Sequence, residues 1–361
     1  MRMMRSMSRP DAFARHLACL CFALFVSLRS IQAQQADTLA FCVVSYNVEN
    51  LFDTRHDSLK DDREFLPQST RHWNYAKYRK KLNALARTLT AIGGWTPPAL
   101  VALCEVENDS VLRDLTRYSL LREADYRYIV TRSPDERGID VALLYQRHLF
   151  KPLSHRSIRI TPTGRKLRPT RDILHVCGLL LNGDTLDVLV AHFPSRRGGA
   201  KASEPYRLHV AQVLRQTCDS LIRQRRLPQL LLMGDFNDPP ASKAVRDVLR
   251  ALPPSADETP APDRLYHLLA RRAKEQQAYG SYKYQGHWEL IDHLIVSGRL
   301  LCPGNGLRTG EAQAEVFAAP FLLEPDKKYG GMQPFRTYIG PRYHGGTSDH
   351  LPVVAEFELI Y

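Results

Sequence analysis

Cysteine is scarce in this 361-residue sequence: there are seven, and no two stand at a spacing that would hold a metal through thiolates. Cys19 and Cys21 fall in the first 33 residues; Cys42, Cys104, Cys177, Cys218 and Cys302 are odd in number and widely spread. Cys42, Cys104 and Cys177 sit in apolar runs and read as buried thiols, although an oxidising compartment would permit one or two bridges. No apolar run reaches the ~20 residues that a spanning helix needs. Internal repeats and low-complexity tracts are missing too, which sets aside solenoids and biased segments. Acidic residues are outnumbered, 38 against 50 Lys and Arg. What remains is 44% hydrophobic and 24% charged, an ordinary globular composition with enough apolar mass for one large core or two small ones.

The N-terminus reads as a secretory signal. Arg2, Arg5, Arg9 and Arg15 precede an apolar run from Leu17 to Leu28, and Ile31-Gln32-Ala33 makes a small-residue cleavage site. Residues 1–33 are thus the expected signal peptide and 34–361 the mature protein, exported to a periplasm, cell surface or medium, with no stable membrane insertion after processing. Five Arg and one Asp lie in the signal, so about +8 of the net +12 belongs to the mature chain. An excess of that size favours polyanionic partners, though a basic surface also serves solubility alone.

Strand-like apolar runs recur at Phe41–Tyr46, Ala99–Cys104, Asp140–Tyr145, Ile173–Leu181, Thr185–His192, Gln229–Met233, Glu289–Val296 and Leu351–Leu359. Asn182-Gly183-Asp184 predicts a hairpin between two of them. Behind Asn74, the residues Tyr75, Tyr78, Leu82, Leu85, Leu89 and Ile92 recur at three- and four-residue steps up to Gly93-Gly94, which predicts an Asn-capped helix. Ser203 is the expected cap of another helix, with Glu204 and Pro205 in its first turn and Val210, Val213, Leu214, Leu221 and Ile222 on its apolar face. Leu252–Pro262, rich in Pro, Ala and acidic residues, and Cys302–Met332, rich in Gly and Pro, read as loops or insertions within one domain. Partial alternation of strands and helices, with a hairpin, indicates an α/β layered domain with mixed sheets.

Polar residues gather where the runs end. Asn47-Val48-Glu49-Asn50, Glu105-Val106-Glu107-Asn108 and Gly234-Asp235-Phe236-Asn237-Asp238 each follow a run, His192 closes another, and Ser348-Asp349-His350 precedes the last. Such oxygen donors suit magnesium or manganese, and histidines suit proton transfer or phosphate contact. Singly, each is explained by the preference of turns and strand ends for these residues. Their recurrence is not.

In this order the strings SYNVEN, LCEVEN, RGIDVALLY, AHFPS, GDFND, LIDHLIVS and SDHLPV resemble the endonuclease/exonuclease/phosphatase superfamily from Asn47 to His350. GDFND with SDHLPV is the specific pair. YNVENLFD, the SRRGG after His192 and PFRTYIG look most like secreted bacterial nuclease-like members. The resemblance implies a four-layer sandwich of two mixed β-sheets flanked by helices, and a metal-dependent hydrolase of phosphoric esters. It implies Glu105 as the principal ligand of Mg2+ (or Mn2+), supported by Asn47 and Asp349. Asp235 and Asn237 would hold the attacking water and a phosphate oxygen. His350 would act as general base or orient the water, its ring held by Asp292. His192 would donate to a non-bridging oxygen with Asp140 behind it, and Arg171 would contact phosphate. Asp235 competes with His350 as the base, and one metal or two is left open. Glu49 stands where some members carry Asp and is kept as a water-mediated ligand only, while Glu107 and Asp238 read as turn or surface residues.

For the substrate, nucleic acid leads. Arg196, Arg197, Lys201 and Arg207 follow the His192 strand, with Arg196 a phosphate contact, and Tyr279, Tyr282, Tyr284 and Trp288 interleave with Lys283 before Asp292. Positive charge tracks phosphates and aromatic faces stack bases, although a solvated loop and an ordinary aromatic strand face account for the pattern equally. A sphingomyelinase or small-molecule phosphoesterase on the same metal centre is the alternative; the former calls for an amphipathic aromatic hairpin, and none is clear. A non-catalytic binder would have lost one of Glu105, Asp235, Asn237, Asp292, Asp349 or His350, and all six are present. No protein partner is inferable.

Overall fold

In β1 (Thr38–Leu51), Phe41 and Val43 turn to one side and Cys42, Val44 and Tyr46 to the other, and both sides are buried. A strand covered on both faces belongs to the interior of a layered fold. The chain is seen in a computed structural model that describes residues 37–161, 168–255, 257–304 and 306–361. The predicted signal peptide lies outside the described residues, while Leu39–Tyr361 clusters as one unit.

Two mixed sheets form the centre. The first runs β13 (Gly306–Arg308), β19 (Val353–Ile360), β1, β2 (Leu100–Val106), β4 (Asp140–Tyr145), β3 (Arg127–Val130), with β14 (Ala314–Val316) also on β19. The second runs β5 (Phe150–Ile158), β6 (Ile173–Leu180), β7 (Thr185–Val190), β8 (Leu230–Asp235), β12 (Asp292–Ser297), β9 (Leu265–His267). Each has a central parallel pair, β1 with β2 and β7 with β8, among antiparallel neighbours. Among the described residues three small hairpins stand outside them: β10 (Tyr282–Tyr284) with β11 (His287–Glu289), β15 (Leu323–Pro325) with β16 (Met332–Pro334), and β17 (Tyr338–Ile339) with β18 (Arg342–Tyr343).

Helices cover the outer faces. Asn74 caps α1 (Tyr75–Gly93) by accepting the Lys77 N–H, and Gly94, in the left-handed region at φ 57°, ends it with its N–H on Thr90. Tyr78, Leu82, Leu85 and Leu89 form its buried stripe. With Val111, Leu112 and Leu115 of α2 (Asp109–Arg117), they cover Val44, Tyr46 and Leu103 of the first sheet. Each such Leu or Val contributes roughly 1.5–3 kcal/mol on burial. On the other side, Val210, Leu214 and Leu221 of α3 (Ala200–Gln224) cover Leu189, Leu232 and Ile295. Val43, Ala102, Val141, Val188, Leu231 and Leu294 fill the space between the sheets. The order helix, sheet, sheet, helix is the four-layer α/β sandwich.

Two expectations are corrected, and one strand went unread. Ser203 does not cap α3: the cap position is four residues earlier, at Gly199, and the Ser203 hydroxyl donates to the Gly199 carbonyl from within the first turn. The stretch Cys302–Met332 is not loop alone, since β13 and β14 extend the first sheet through it. The edge strand β5 had no apolar signal because most of its side chains face solvent. Cys42, Cys104, Cys177, Cys218 and Cys302 are all free, the first four buried.

Candidate active site

Strand parity carries three polar groups to one rim. Val188 and Val190 face between the sheets, so His192, two residues on, continues that face; Leu231 and Met233 lead likewise to Asp235, and Val296 and Leu294 lead back to Asp292. Asn47 follows from Phe41 and Val43 on the facing sheet. Glu105 breaks the rule. It shares the parity of Val101 and Leu103, which face the helices, yet the register slips between Cys104 and Val106 and Glu105 takes φ 66°. This bulge swings its carboxylate back to the rim, where one oxygen accepts the Asn50 N–H at 2.9 Å and the other stands 3.9 Å from His192 Nε2. Glu49, Asn50 and Asn237 also hold positive φ, so strain is concentrated around the cavity.

The cavity, about 540 Å³, is lined by Asn47, Glu105, His192, Asp235, Asp349 and His350 among others. His350 Nδ1 lies 2.6 Å from Asp292 Oδ2, and Ser281 donates to the same oxygen at 2.6 Å. His350 Nε2 lies 3.9 Å from Asp235 Oδ2, a separation at which one water oxygen can hydrogen-bond both. Burial disfavours the charged ring, but the carboxylates of Asp292, Asp235 and Asp349 outweigh it and raise His350 to about 10. Burial first, and then the charge of Asp292, raises Asp235 to about 7. Asn47 Nδ2 and the Asn237 N–H both donate to the Asp235 carboxylate, at 2.9 and 2.8 Å. Gly234 is required beneath it, since a Cβ there would stand 1.9 Å from the Ala191 carbonyl oxygen. His192 Nε2 is 3.5 Å from Asp235 Oδ2; burial, then the charges of Arg171 and Arg137, hold the ring well below the usual histidine range, so it is neutral.

Glu105 and Asp349 bring two carboxylates to the cavity, which fit a hard divalent cation; Asn47 lies beside them, with its Nδ2 on Asp235 and its Oδ1 accepting the Glu49 N–H, which leaves that oxygen one further lone pair for an ion. Asp235, Asp292 and His350 also come within 4.8 Å of one another. An ion among them would have to break the 2.6 Å contact between His350 and Asp292, so this trio is read as an acid–base unit.

Other expected residues are placed differently. Asp140 does not stand behind His192: it is held by the Thr131 hydroxyl at 2.6 Å, the Ser133 N–H at 2.8 Å and the Ser133 hydroxyl, while His192 Nδ1 is buried without a partner among the described residues. Arg171 is buried, with one nitrogen on the Phe193 carbonyl and another on Asp135, outside the catalytic cavity. Arg196 lines the cavity but is paired through two nitrogens with Glu289. Arg207 is buried on Asp238 at 2.8 Å, so neither is the surface group expected. Glu107 is buried as well and accepts the Asp53 N–H. Glu49 accepts the Thr337 and Tyr338 N–H groups, which leaves it structural.

Sequence reasoning missed Ser281, which had no signal beyond an ordinary loop serine, and Arg336, which donates to Asp349 at 2.7 Å from within PFRTYIG. It also missed Lys81, fully buried and bonded to the Glu49 carbonyl at 2.6 Å. Its place at helical spacing between Tyr78 and Leu85 was the available signal.

Fold and site together define a hydrolase of phosphoric esters. Residues 42–359 match the model of the Endonuclease/Exonuclease/phosphatase family, and the chain belongs to that family, whose members typically use a divalent metal. The fold is similar to that of an endonuclease/exonuclease/phosphatase family protein from Bacteroides thetaiotaomicron (TM-score 0.54, 14% identity, 90% of this chain and 99% of that one). It is also similar to the human Nocturnin catalytic domain with bound sulfate (0.52, 17%, 91% and 98%) and to D. rerio TDP2 complexed with a single-strand DNA product (0.50, 15%, 88% and 98%). No curated protein matches the sequence.

Proposed function

We propose that this protein is an exported phosphodiesterase that uses magnesium or manganese to hydrolyse nucleic acid by in-line attack of water, akin to secreted bacterial nuclease-like members of its family. The observation that carries the reading is the His350–Asp292 pair facing Asp235 across 3.9 Å, in a cavity that Arg196, Arg197, Tyr282 and Tyr284 also line. Glu105, Asn47 and Asp349 would hold the cation, which would supply positive charge against the phosphate oxygens. Charged His350 and Asp235 hold the water between them, and Asp235 takes its proton as its oxygen bonds to phosphorus. Asp292 keeps the His350 ring oriented and stabilises its charged form. Neutral His192 donates to a non-bridging oxygen, and the departing oxygen is protonated from solvent.

Nucleic acid is favoured over a lipid by the β10–β11 hairpin. Lys283 pins it to Asp326 at 2.9 Å and to the Gly330 carbonyl at 2.7 Å, and it exposes Tyr284 at the cavity. An exposed ring on a hairpin held in place at the mouth suits stacking on a base. The single-strand DNA product held by D. rerio TDP2, a relative in fold, accords with this reading. Among the described residues no helix is long and apolar enough to cross a membrane.

The test is turnover of plasmid DNA, single-stranded DNA, RNA, sphingomyelin and bis(4-nitrophenyl) phosphate with magnesium or manganese. Preference for sphingomyelin or a small ester, with nucleic acids untouched, overturns the substrate. N-terminal sequencing of secreted protein should begin near Gln34, and retention of residues 1–33 overturns export.

A further inference from the structure

Arg137, Arg196 and Arg197 line the catalytic cavity. Arg196 is committed to Glu289, as Arg171 outside the cavity is to Asp135 and the Phe193 carbonyl. Arg197 is exposed, beside the two glycines that precede α3. Arg137 differs from all three. Its guanidinium stands 3.8 Å from Asp135 and has no other side-chain partner among the described residues, and 43% of the side chain is exposed. Asp135 is already engaged: Oδ2 meets Arg171 at 3.3 Å, and Oδ1 accepts the Arg137 N–H at 3.0 Å. One carboxylate charge is thus set against two guanidinium charges. They bear on His192, where Arg137 weighs more than His350 does. The backbone beneath Arg137 is fixed. Asp135 to Gly138 closes a turn, with the Gly138 N–H on the Asp135 carbonyl at 3.2 Å and Gly138 at φ 80°. Lys60 Nζ donates to the Ser133 and Asp135 carbonyls at 2.9 and 2.8 Å, and the Asp61 N–H to the Glu136 carbonyl at 2.8 Å. A turn braced in this way holds a guanidinium at the cavity without neutralising it, which suits a group whose acceptor arrives with the substrate.

We propose that Arg137 is a catalytic residue: its guanidinium binds a non-bridging oxygen of the scissile phosphate beside His192 and stabilises the charge that gathers there as water attacks. The assignment rests on hydrolysis of a phosphodiester in this cavity and is independent of the choice of nucleic acid, since every phosphodiester presents the same two non-bridging oxygens. Neutral His192 offers such an oxygen a hydrogen bond but no charge. Arg137 supplies the charge on the same side, through planar paired donors that match phosphate geometry. The role expected of Arg171 and Arg196, both held by acids, thereby falls to a residue seven positions before β4 ends in Leu144.

Arg137→Ala and Arg137→Lys test this, read on bis(4-nitrophenyl) phosphate and on the best natural substrate of the panel above. For Arg137→Ala, kcat should fall at least ~100-fold on both substrates, with KM within about threefold, because the scissile phosphate is common to them. Arg137→Lys should recover about tenfold of that loss, since it restores the charge but not the paired donors. Guanidinium chloride, well below denaturing concentration, should raise kcat of Arg137→Ala several-fold and leave wild type unchanged, with sodium chloride at equal strength as the control. A side chain that merely braced the turn would gain nothing from the free ion. Thermal midpoints should match wild type in both variants. The assignment is overturned if kcat is unchanged, if only the KM of a polymeric substrate rises, or if the two variants lose activity equally with a lowered midpoint and no guanidinium rescue. In each of those cases hydrolysis by wild type leaves the function reading standing. If wild type cleaves no phosphoester, the function reading fails and the assignment fails with it.

Discussion

His350 Nδ1 and Asp292 Oδ2 meet at 2.6 Å, and the hydroxyl of fully buried Ser281 closes on the same carboxylate oxygen. The ring is thereby held on one side and free on the other to face Asp235. His350→Ala should lower turnover by at least ~100-fold with little loss of thermal stability. Asp292→Asn should lose activity in the same manner, because an amide holds the ring but does not stabilise its charged form. The double variant should be scarcely worse than His350→Ala, since residues acting as a unit are not additive. Independent, multiplying losses would dissolve the pair and leave Asp235 to handle the water without it.

Exhaustive chelation should abolish activity, and magnesium or manganese should restore it, because the Glu105 and Asp349 carboxylates, with the Asn47 carboxamide oxygen, are the donors expected to hold a hard cation. Glu105→Gln should raise the metal concentration needed for half-maximal activity by about tenfold or more, measured by metal titration of the apo protein. Undiminished turnover after chelation would defeat the metal assignment.

Asp140→Asn separates the structural placement from the expected one. With Asp140 held by Thr131 and Ser133, the substitution should cost about 1–2 kcal/mol of stability and change kcat by less than about threefold. His192→Ala should instead lose at least ~100-fold in kcat. Equal losses in kcat from the two would restore Asp140 as the partner of His192.

Acid stability should depend on Asp187, remote from the cavity and fully buried. Burial alone would raise its carboxyl, but the bonds from Arg225 and His175 outweigh it and hold the group at about 2, below the ordinary 3.8. A folded value below the unfolded one stabilises above the unfolded value and is lost as pH falls through the folded one. The contribution, about 2 kcal/mol, should be present at neutral pH and vanish between about pH 4 and pH 2. Denaturant titrations of wild type and Asp187→Asn should converge in that window; a constant gap down to pH 2 would disprove the linkage.

The buried pair His267 and His293 joins at 2.6 Å, with the Leu269 N–H on His267 and the Asp238 carbonyl on His293. This chain supports the loop after Asp235, and Phe236 stacks on His293 at 4.8 Å. His293→Phe keeps the stack and removes the bond to Asp238. It should lower kcat about tenfold while KM stays within about twofold, since a small misplacement of a catalytic carboxylate costs rate more than binding. An unchanged kcat would show the support to be dispensable.

The helix from Tyr75 and the turn at Asn182-Gly183-Asp184 were legible because their determinants are local: a cap, a period near 3.6 residues, a glycine at φ 84°. The start of α3 was not. Ser203 carries the right side chain for a cap, but Gly198 and Gly199 let the backbone turn earlier, at φ 83° and 112°. Arg207 looked like a phosphate contact because sequence carries charge but not burial; packing against Asp238 turned it inward.

By itself, the sequence determined that polar groups end the strands and in what order, because alternation along a strand is a local property that places Asn47, His192, Asp235 and Asp292 on the inter-sheet face. Only the tertiary structure decided how they pair. The bulge at Glu105 reverses the direction that alternation assigns, and its energy comes from neighbours on other strands. His350 and Asp292, 58 residues apart, meet because the segment before β19 bridges to Tyr282 at the start of β10, and Ser281 beside it bonds Asp292 at the start of β12. Asp140 turns to Thr131 and Ser133 because those donors, seven to nine residues away, reach it first in the folded chain.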